Sequence, residues 1–229
     1  MDFPGLAANL DRVRNEIARV KAAEGLHQDV LIVAVTKGHP SAAVRAAVRV
    51  GLTQVGENRV QEALQKRGEL GDLSAEWHLI GHLQTNKAKL VPGAFARVHS
   101  VDSWRIAEAL AEAVTRAGTG TLRVLLQVNV AGEGQKSGCG PDEAVDLAHQ
   151  IAGEPRLKLE GLMTMAPLTD DERVQRRTFA DLRALRERIA RTGLALADLS
   201  MGMSGDFRAA VAEGATILRL GTILFGERQ

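Results

Sequence analysis

The chain has no tyrosine, one cysteine and only 3% aromatic residues over its 229 positions. Without tyrosine, no phenol of this chain can act as an acid or base. A lone Cys139 excludes an internal disulfide and a cysteine-based metal cluster, and it fits a reducing compartment. No apolar stretch approaches the roughly 20 residues that span a bilayer. Asp2, Asp11 and Glu16 stand where a secretory signal needs continuous apolar character, so a cytoplasmic protein that does not enter a membrane is expected. Charge of one sign is also missing. The 29 basic and 28 acidic side chains leave a net +1, which gives no global field for nucleic acid or an anionic membrane. Any anion site must be local.

What remains is an ordinary globular composition, 45% hydrophobic and 25% charged. The length fits one α/β barrel as a single domain over residues 1–229.

Leu6, Leu10, Val13, Ile17 and Val20 recur at spacings of four and three, one face of a helix that Gly25 can close. From there the chain alternates. Strands are expected at 31–36, 53–56, 76–81, 94–101, 122–130, 157–163, 196–200 and 216–220. Helices are expected at 41–50, 57–69, from about 83, at 103–117, from Pro141 to Gly153, from about 171, and at 204–213. In the long helix after residue 171, Val174, Thr178, Leu182, Leu185 and Ile189 share a face. Eight strand-helix pairs after one leading helix predict a (β/α)8 TIM barrel with an extra N-terminal helix. A doubly wound open sheet has the same cadence, which does not itself prove closure.

The most uniformly apolar run, Leu31-Ile32-Val33-Ala34-Val35-Thr36, ends on Lys37. An ammonium at the end of a buried strand is costly unless it is paired or used chemically. In a barrel the residues just past each strand share one rim, which gathers Lys37, Asn58, Gln84, Asn129, Thr164, Ser204 and Arg219. The loops after strands seven and eight read Met201-Gly202-Met203-Ser204-Gly205-Asp206 and Arg219-Leu220-Gly221-Thr222. Such loops often hold a phosphate: glycines admit backbone N–H groups, and Ser204 and Thr222 can donate hydroxyl hydrogen bonds. On pattern alone, Ser204 serves equally well as a helix cap and the glycines as turn formers. A strand-one lysine, a phosphate cup and an arginine between them suit a phosphorylated carbonyl compound held as a Schiff base, with pyridoxal 5′-phosphate (PLP) the obvious candidate. The bland alternative is a lysine that snorkels or pairs with a carboxylate.

Other signals carry less. His78 and His82 have the spacing of a helical zinc pair, but they fall on a predicted strand, where four residues span about 13 Å, so no metal site is expected. Gly134-Gln135-Lys136-Ser137 lacks the glycine that a P-loop places directly before its lysine. The arginine-rich helix between 170 and 192 also carries Asp170, Asp171, Glu172, Asp181 and Glu187, the pattern of a salt-bridged exterior rather than a nucleic-acid face. Cys139 reads as an isolated thiol on a flexible loop, the glycine-rich stretch 132–140, with no role of its own.

Ala34-Val35-Thr36-Lys37, Gly56-Glu57-Asn58, the run from Trp77 through His78-Leu79-Ile80-Gly81-His82-Leu83-Gln84-Thr85-Asn86 to Lys87, Leu162-Met163-Thr164-Met165, Leu199-Ser200-Met201-Gly202-Met203-Ser204 and Leu218-Arg219-Leu220-Gly221-Thr222 resemble the signature segments of the pyridoxal phosphate homeostasis protein family. The resemblance runs in order over residues 6–228, although the family pattern often has proline where this chain has His82. It implies a barrel like the N-terminal domain of alanine racemase, a PLP imine at Lys37, and a role in holding and supplying the cofactor. It also implies phosphate contacts from Ser204, Gly221 and Thr222, Arg219 facing the pyridine nitrogen, and Asn58 close to the ring.

An arginine at that nitrogen donates a hydrogen bond without giving up its proton, so the ring is a weaker electron sink than one paired with a carboxylate. Racemases of this kind, by the same resemblance, take a second base from a tyrosine in a C-terminal domain of the partner subunit. This chain has no tyrosine and ends at Gln229, shortly after the predicted cup. A monomeric PLP-binding protein, with PLP-dependent apoenzymes as its recipients, is therefore expected over an amino-acid racemase.

Overall fold

In the computed structural model, which describes residues 3–71, 73–133 and 137–227, the apolar spacings become a closed parallel barrel. The strands are β1 (Leu31–Val35), β2 (Gln54–Glu57), β3 (Glu76–Leu79), β4 (Arg97–Val101), β5 (Leu122–Gln127), β6 (Leu157–Met163), β7 (Asp198–Ser200) and β8 (Ile217–Leu220). They pair in sequence order. Closure comes from β8 against β1, with Leu31 opposite Ile217 and Ala34 opposite Leu220. The open-sheet alternative is thereby excluded.

Around the strands lie α1 (Leu6–Ala23), α2 (Ser41–Arg49), α3 (Val60–Leu70), the 3-10 turn η1 (Thr85–Leu90), α4 (Trp104–Ala117), α5 (Ala144–Ala152), α6 (Glu172–Ala190), α7 (Phe207–Ala212) and α8 (Thr222–Phe225). The leading helix α1 buries the five expected residues and packs on α7 and α8. Gly25 follows it at φ +64°, a backbone region that glycine enters without steric cost.

Several boundaries move for local reasons. The helix expected from about residue 83 is only the turn η1, because Pro92 and Gly93 end it before β4 begins. Helix α3 begins at Val60 rather than residue 57, since Glu57 stays in β2 and Arg59 is extended. Helix α7 begins at Phe207, after a turn in which the Asp206 N–H donates to the Met203 carbonyl. On α6, Val174 is 40% exposed, and Gln175 and Phe179 join Thr178, Leu182, Leu185 and Ile189 on the buried face.

The barrel interior is layered. Arg97 on β4 reaches Asp198 on β7 (2.8 Å) and Glu160 on β6 (2.5 Å), an ionic plug near the strands' N-terminal ends. Val33, Leu125, Met163 and Ile217 form an apolar cluster separate from the larger core between sheet and helices. Gly56 is part of this layer: a β-carbon there would lie 2.9 Å from a Val33 methyl and 3.2 Å from one of Ile80.

Candidate functional site

At the C-terminal ends of the strands is a cavity of about 570 Å³. Lys37, Asn58, Ser204, Arg219, Gly221 and Thr222 all line it, so residues from the ends of β1, β2, β7 and β8 meet in one place. Gln84, Asn129 and Thr164, expected on the same rim, do not line it. Thr164 instead donates its hydroxyl to the Val128 carbonyl (2.8 Å), and Asn129 donates its amide to the Glu133 carbonyl (2.8 Å). Met203 and Gly205, from the loop expected to cup a phosphate, also line the cavity, whereas sequence reasoning missed Val35, Ile80, Gly81, His82, Gln127, Ser137, Met165 and Leu168. Strand alternation could have placed Val35 and Gln127. No comparable period marks the loop residues Met165 and Leu168.

Two glycines shape the rim. A β-carbon on Gly81 would lie 2.4 Å from the Asn58 carbonyl oxygen, so the β3 loop passes directly over the Asn58 backbone. Gly202 has φ +94°, and a β-carbon there would meet Ala210 at 2.6 Å and Leu218 at 2.8 Å. Its carbonyl accepts the Arg219 N–H (3.0 Å). Ser204 does not cap α7, where Asp206 takes the cap position. The Ser204 Oγ accepts the Ile223 N–H (3.1 Å), tying the β7 loop to the start of α8 and leaving the hydroxyl hydrogen to be donated.

Lys37 is held through its neighbours. Thr36 donates its hydroxyl to Glu57 (2.6 Å), and its carbonyl accepts from the buried Lys66 ammonium (2.7 Å). The same ammonium donates to Glu57 (2.7 Å) and Glu62 (2.8 Å), while Glu62 accepts the Gly38 N–H (2.7 Å). Burial pushes the Glu57 carboxyl up, against the pull of the bonds from Lys66 and Thr36. Burial also acts on Glu62, but the bonds from Lys66 and Gly38 outweigh it and hold that carboxyl down.

Arg219 is 4% exposed and donates to Ser200 Oγ (2.7 Å) and the Thr164 carbonyl (2.9 Å), both uncharged acceptors. Burial lowers its pKa to about 10, with Asp206 acting in the opposite direction. Ser200 continues inward to His99 (2.9 Å), His99 to His78 (2.8 Å), and His78 to the Gln54 side-chain oxygen (2.7 Å). His78 is thus committed to the barrel core, whereas His82 is exposed beside Asp102 (3.6 Å). The two do not converge, and among the described residues no group of three or more His, Cys, Asp or Glu could hold a metal ion.

Cys139 corrects its sequence reading. It is buried, its N–H donates to the Gln127 carbonyl, and its carbonyl accepts the Asn129 N–H. Burial, then Glu143 and Asp102, push its thiol up to about 12. Residues 134–136 of the P-loop comparison lie outside the described residues. In the arginine-rich helix, Arg176 and Arg183 pair with Glu213 at 2.8 Å, the salt-bridged exterior expected. No helix among the described residues is long and apolar enough to cross a membrane.

A family model described as "Alanine racemase, N-terminal domain" matches residues 8–229. A protein of Pseudomonas aeruginosa named pyridoxal phosphate homeostasis protein is 44% identical over 224 residues, 97% of this chain and 96% of the relative. One of the same name from Aquifex aeolicus is 39% identical over 225 residues, 98% and 97% of the two chains. The solved structure of PipY from Synechococcus elongatus with PLP bound is 38% identical, with a TM-score of 0.85 over 96% of this chain and 100% of that one. Alanine racemase of Clostridium difficile, 17% identical, shares the fold, with a TM-score of 0.79 over 98% of this chain and 60% of the racemase.

Proposed function

Because the chain belongs to the pyridoxal phosphate homeostasis protein family, built on the N-terminal-domain fold of alanine racemase, we propose that it binds PLP and takes part in holding and supplying that cofactor in the cytoplasm. The observation that carries this reading is the convergence of Lys37, Arg219, Ser204 and Thr222 on one cavity large enough for a small phosphorylated ligand. The donor set fits PLP. Arg219 is a buried cation whose two hydrogen-bond partners are neutral, with Asp206 acting on it only through space, so an electron-rich ligand meets a guanidinium with no direct anionic partner among the hydrogen bonds described. Ser204 and Thr222 add hydroxyl donors, and Gly205 and Gly221 let backbone approach a phosphate without a side chain between them.

In this reading the neutral Lys37 amine condenses with the aldehyde of PLP, releasing water and leaving an imine that water reverses. Arg219 faces the pyridine nitrogen, Asn58 lies beside the ring, and Ser204, Gly221 and Thr222 take the phosphate. The chain acts as a monomeric carrier that supplies PLP-dependent apoenzymes, not as a racemase. Supporting that choice, the chain has no tyrosine to serve as a second base, and its relatives are named for homeostasis.

The test is direct. Purified protein incubated with PLP should absorb visible light, and borohydride followed by peptide mass mapping should place the cofactor on Lys37. A modification mapped to another lysine would overturn the assignment. Interconversion of alanine enantiomers at a rate that depends on Lys37 would overturn the carrier reading. Light scattering with and without PLP checks the monomer.

A further inference from the structure

The hydrogen bonds behind Arg219 have a direction that their two ends fix. A guanidinium can only donate, so Ser200 Oγ is the acceptor at one end (2.7 Å). The Gln54 side-chain oxygen can only accept, so the His78 Nε2 facing it at 2.7 Å carries a hydrogen. Both rings are buried, and burial holds His78 down at about 3 and His99 well below the ordinary histidine range, so each is neutral and has one N–H. With its hydrogen on Nε2, His78 offers Nδ1 as an acceptor to the Nε2–H of His99 (2.8 Å). His99 Nδ1 is then left to accept the Ser200 hydroxyl hydrogen (2.9 Å). Every donor meets an acceptor. In the reverse order Ser200 would accept from both Arg219 and His99, and its own hydrogen would be buried without a partner among the described residues, a costly arrangement.

We infer that His78 and His99 are positioning residues for Arg219, acting through Ser200. Together with Gln54 they form a one-way hydrogen-bond chain across the barrel that turns a lone pair of Ser200 toward the guanidinium and holds it as a fixed donor at the cavity. Thr164 fixes the other amino group through its carbonyl (2.9 Å), and the remaining guanidinium N–H groups are left for a ligand. The chain links β2, β3, β4, β7 and β8, so residues far from any bound molecule set the orientation of the group that meets it. The functional half of the inference rests on the reading that Arg219 faces the ring nitrogen of PLP. The proton order does not.

Two measurements test the halves separately. Long-range 15N–1H correlation of the full-length protein without PLP should show both histidines as the Nε2–H tautomer between pH 6 and 8. An Nδ1–H on either ring would overturn the chain. In the PLP-loaded protein, His99→Leu and Ser200→Ala should shift the visible absorbance maximum and weaken PLP binding about tenfold, the scale of losing one hydrogen bond to a charged group. His99→Asn, which keeps an acceptor near the Nδ1 position, should move both readouts back toward wild type. Unchanged spectra and affinity in Ser200→Ala, the smallest change in the series, would overturn the positioning role even if His99→Leu failed to fold. If wild-type protein formed no imine at Lys37, the PLP reading would fall, and the tautomers would still decide the proton order.

Discussion

The Lys66 ammonium lies 2.7 Å from the carbonyl oxygen of Thr36, the residue immediately before Lys37. The same ammonium binds Glu57 and Glu62, and Glu62 in turn holds the N–H of Gly38, the residue immediately after Lys37. One buried cation therefore clamps the backbone on both sides of the cavity lysine. Replacing Lys66 by Met strands Glu57 in the core and should cost about 3–5 kcal/mol of stability, read from urea unfolding. Adding Glu57→Gln to that variant removes the stranded charge and should restore much of the stability. The Lys37 loop would still lack its clamp, so PLP retention should stay below wild type in the double variant. Full retention would show that the loop holds its shape unaided.

The proposed phosphate cup separates two vitamers. Ser204→Ala and Thr222→Val each remove one hydroxyl donor to a dianion, a loss of roughly ten- to a hundredfold in PLP affinity. Pyridoxal, which has no phosphate, should bind wild type and both variants alike. Fluorescence or absorbance titrations with the two aldehydes would check this, and parallel losses for both would place the phosphate elsewhere.

The rim glycines are not equivalent. A methyl group on Gly81 would collide with the Asn58 backbone, whereas a β-carbon on Gly205 meets nothing within 4 Å. Gly81→Ala should destabilise the fold by about 1–3 kcal/mol, the usual cost of overpacking, and reduce PLP binding by displacing Asn58. Gly205→Ala lines the same cavity and should leave the melting temperature unchanged. Equal melting temperatures for the two variants would mean that the loop after β3 yields easily.

The barrel was legible in the chain because its evidence is periodic. Apolar runs such as residues 31–35 and the 3.6-residue stripe of α1 require only that side chains on one face be dry, and the order of strands and helices then brings Lys37, Asn58, Ser204 and Arg219 to one rim. The clamp and the histidine chain were not legible. Lys66 looks like any helix-surface lysine until α3 is docked and its ammonium reaches Glu57, and His78 looks like half of a metal pair until the barrel closes it against His99. Contacts between residues on different strands have no period to read. Cys139 was misread for the same reason: its glycine-rich surroundings suggest a flexible loop, whereas its backbone is bonded to Gln127 and Asn129 and its side chain is buried.

That burial makes Cys139 inert. With its thiol pushed up to about 12, almost no thiolate exists near neutrality, so native protein should resist iodoacetamide at pH 8. Protein unfolded in urea should be alkylated within minutes. Rapid labelling of the folded protein would show that the loop opens far more often than its hydrogen bonds suggest.

The two buried histidines predict a loss of stability on mild acidification. Burial, reinforced for His78 by Arg97 and Arg123, and for His99 by His78, Arg219 and Arg97, opposes protonation in the folded state. Once unfolded, each ring binds a proton near its ordinary value of 6.5, while folded His78 refuses it until about 3. The unfolded state therefore holds more protons throughout that window, and stability must fall as pH drops from about 6.5 toward 3. At pH 5.5 the two rings together should contribute a loss of roughly 3 kcal/mol relative to neutral pH. Urea unfolding at pH 7.5 and 5.5, compared between wild type and His78→Gln/His99→Gln, isolates this term, because the carboxylates titrate alike in both proteins. The double variant should lose about 3 kcal/mol less than wild type over the same interval. Equal losses would mean that the rings admit protons inside the folded barrel, which the one-way order from Arg219 to Gln54 does not permit.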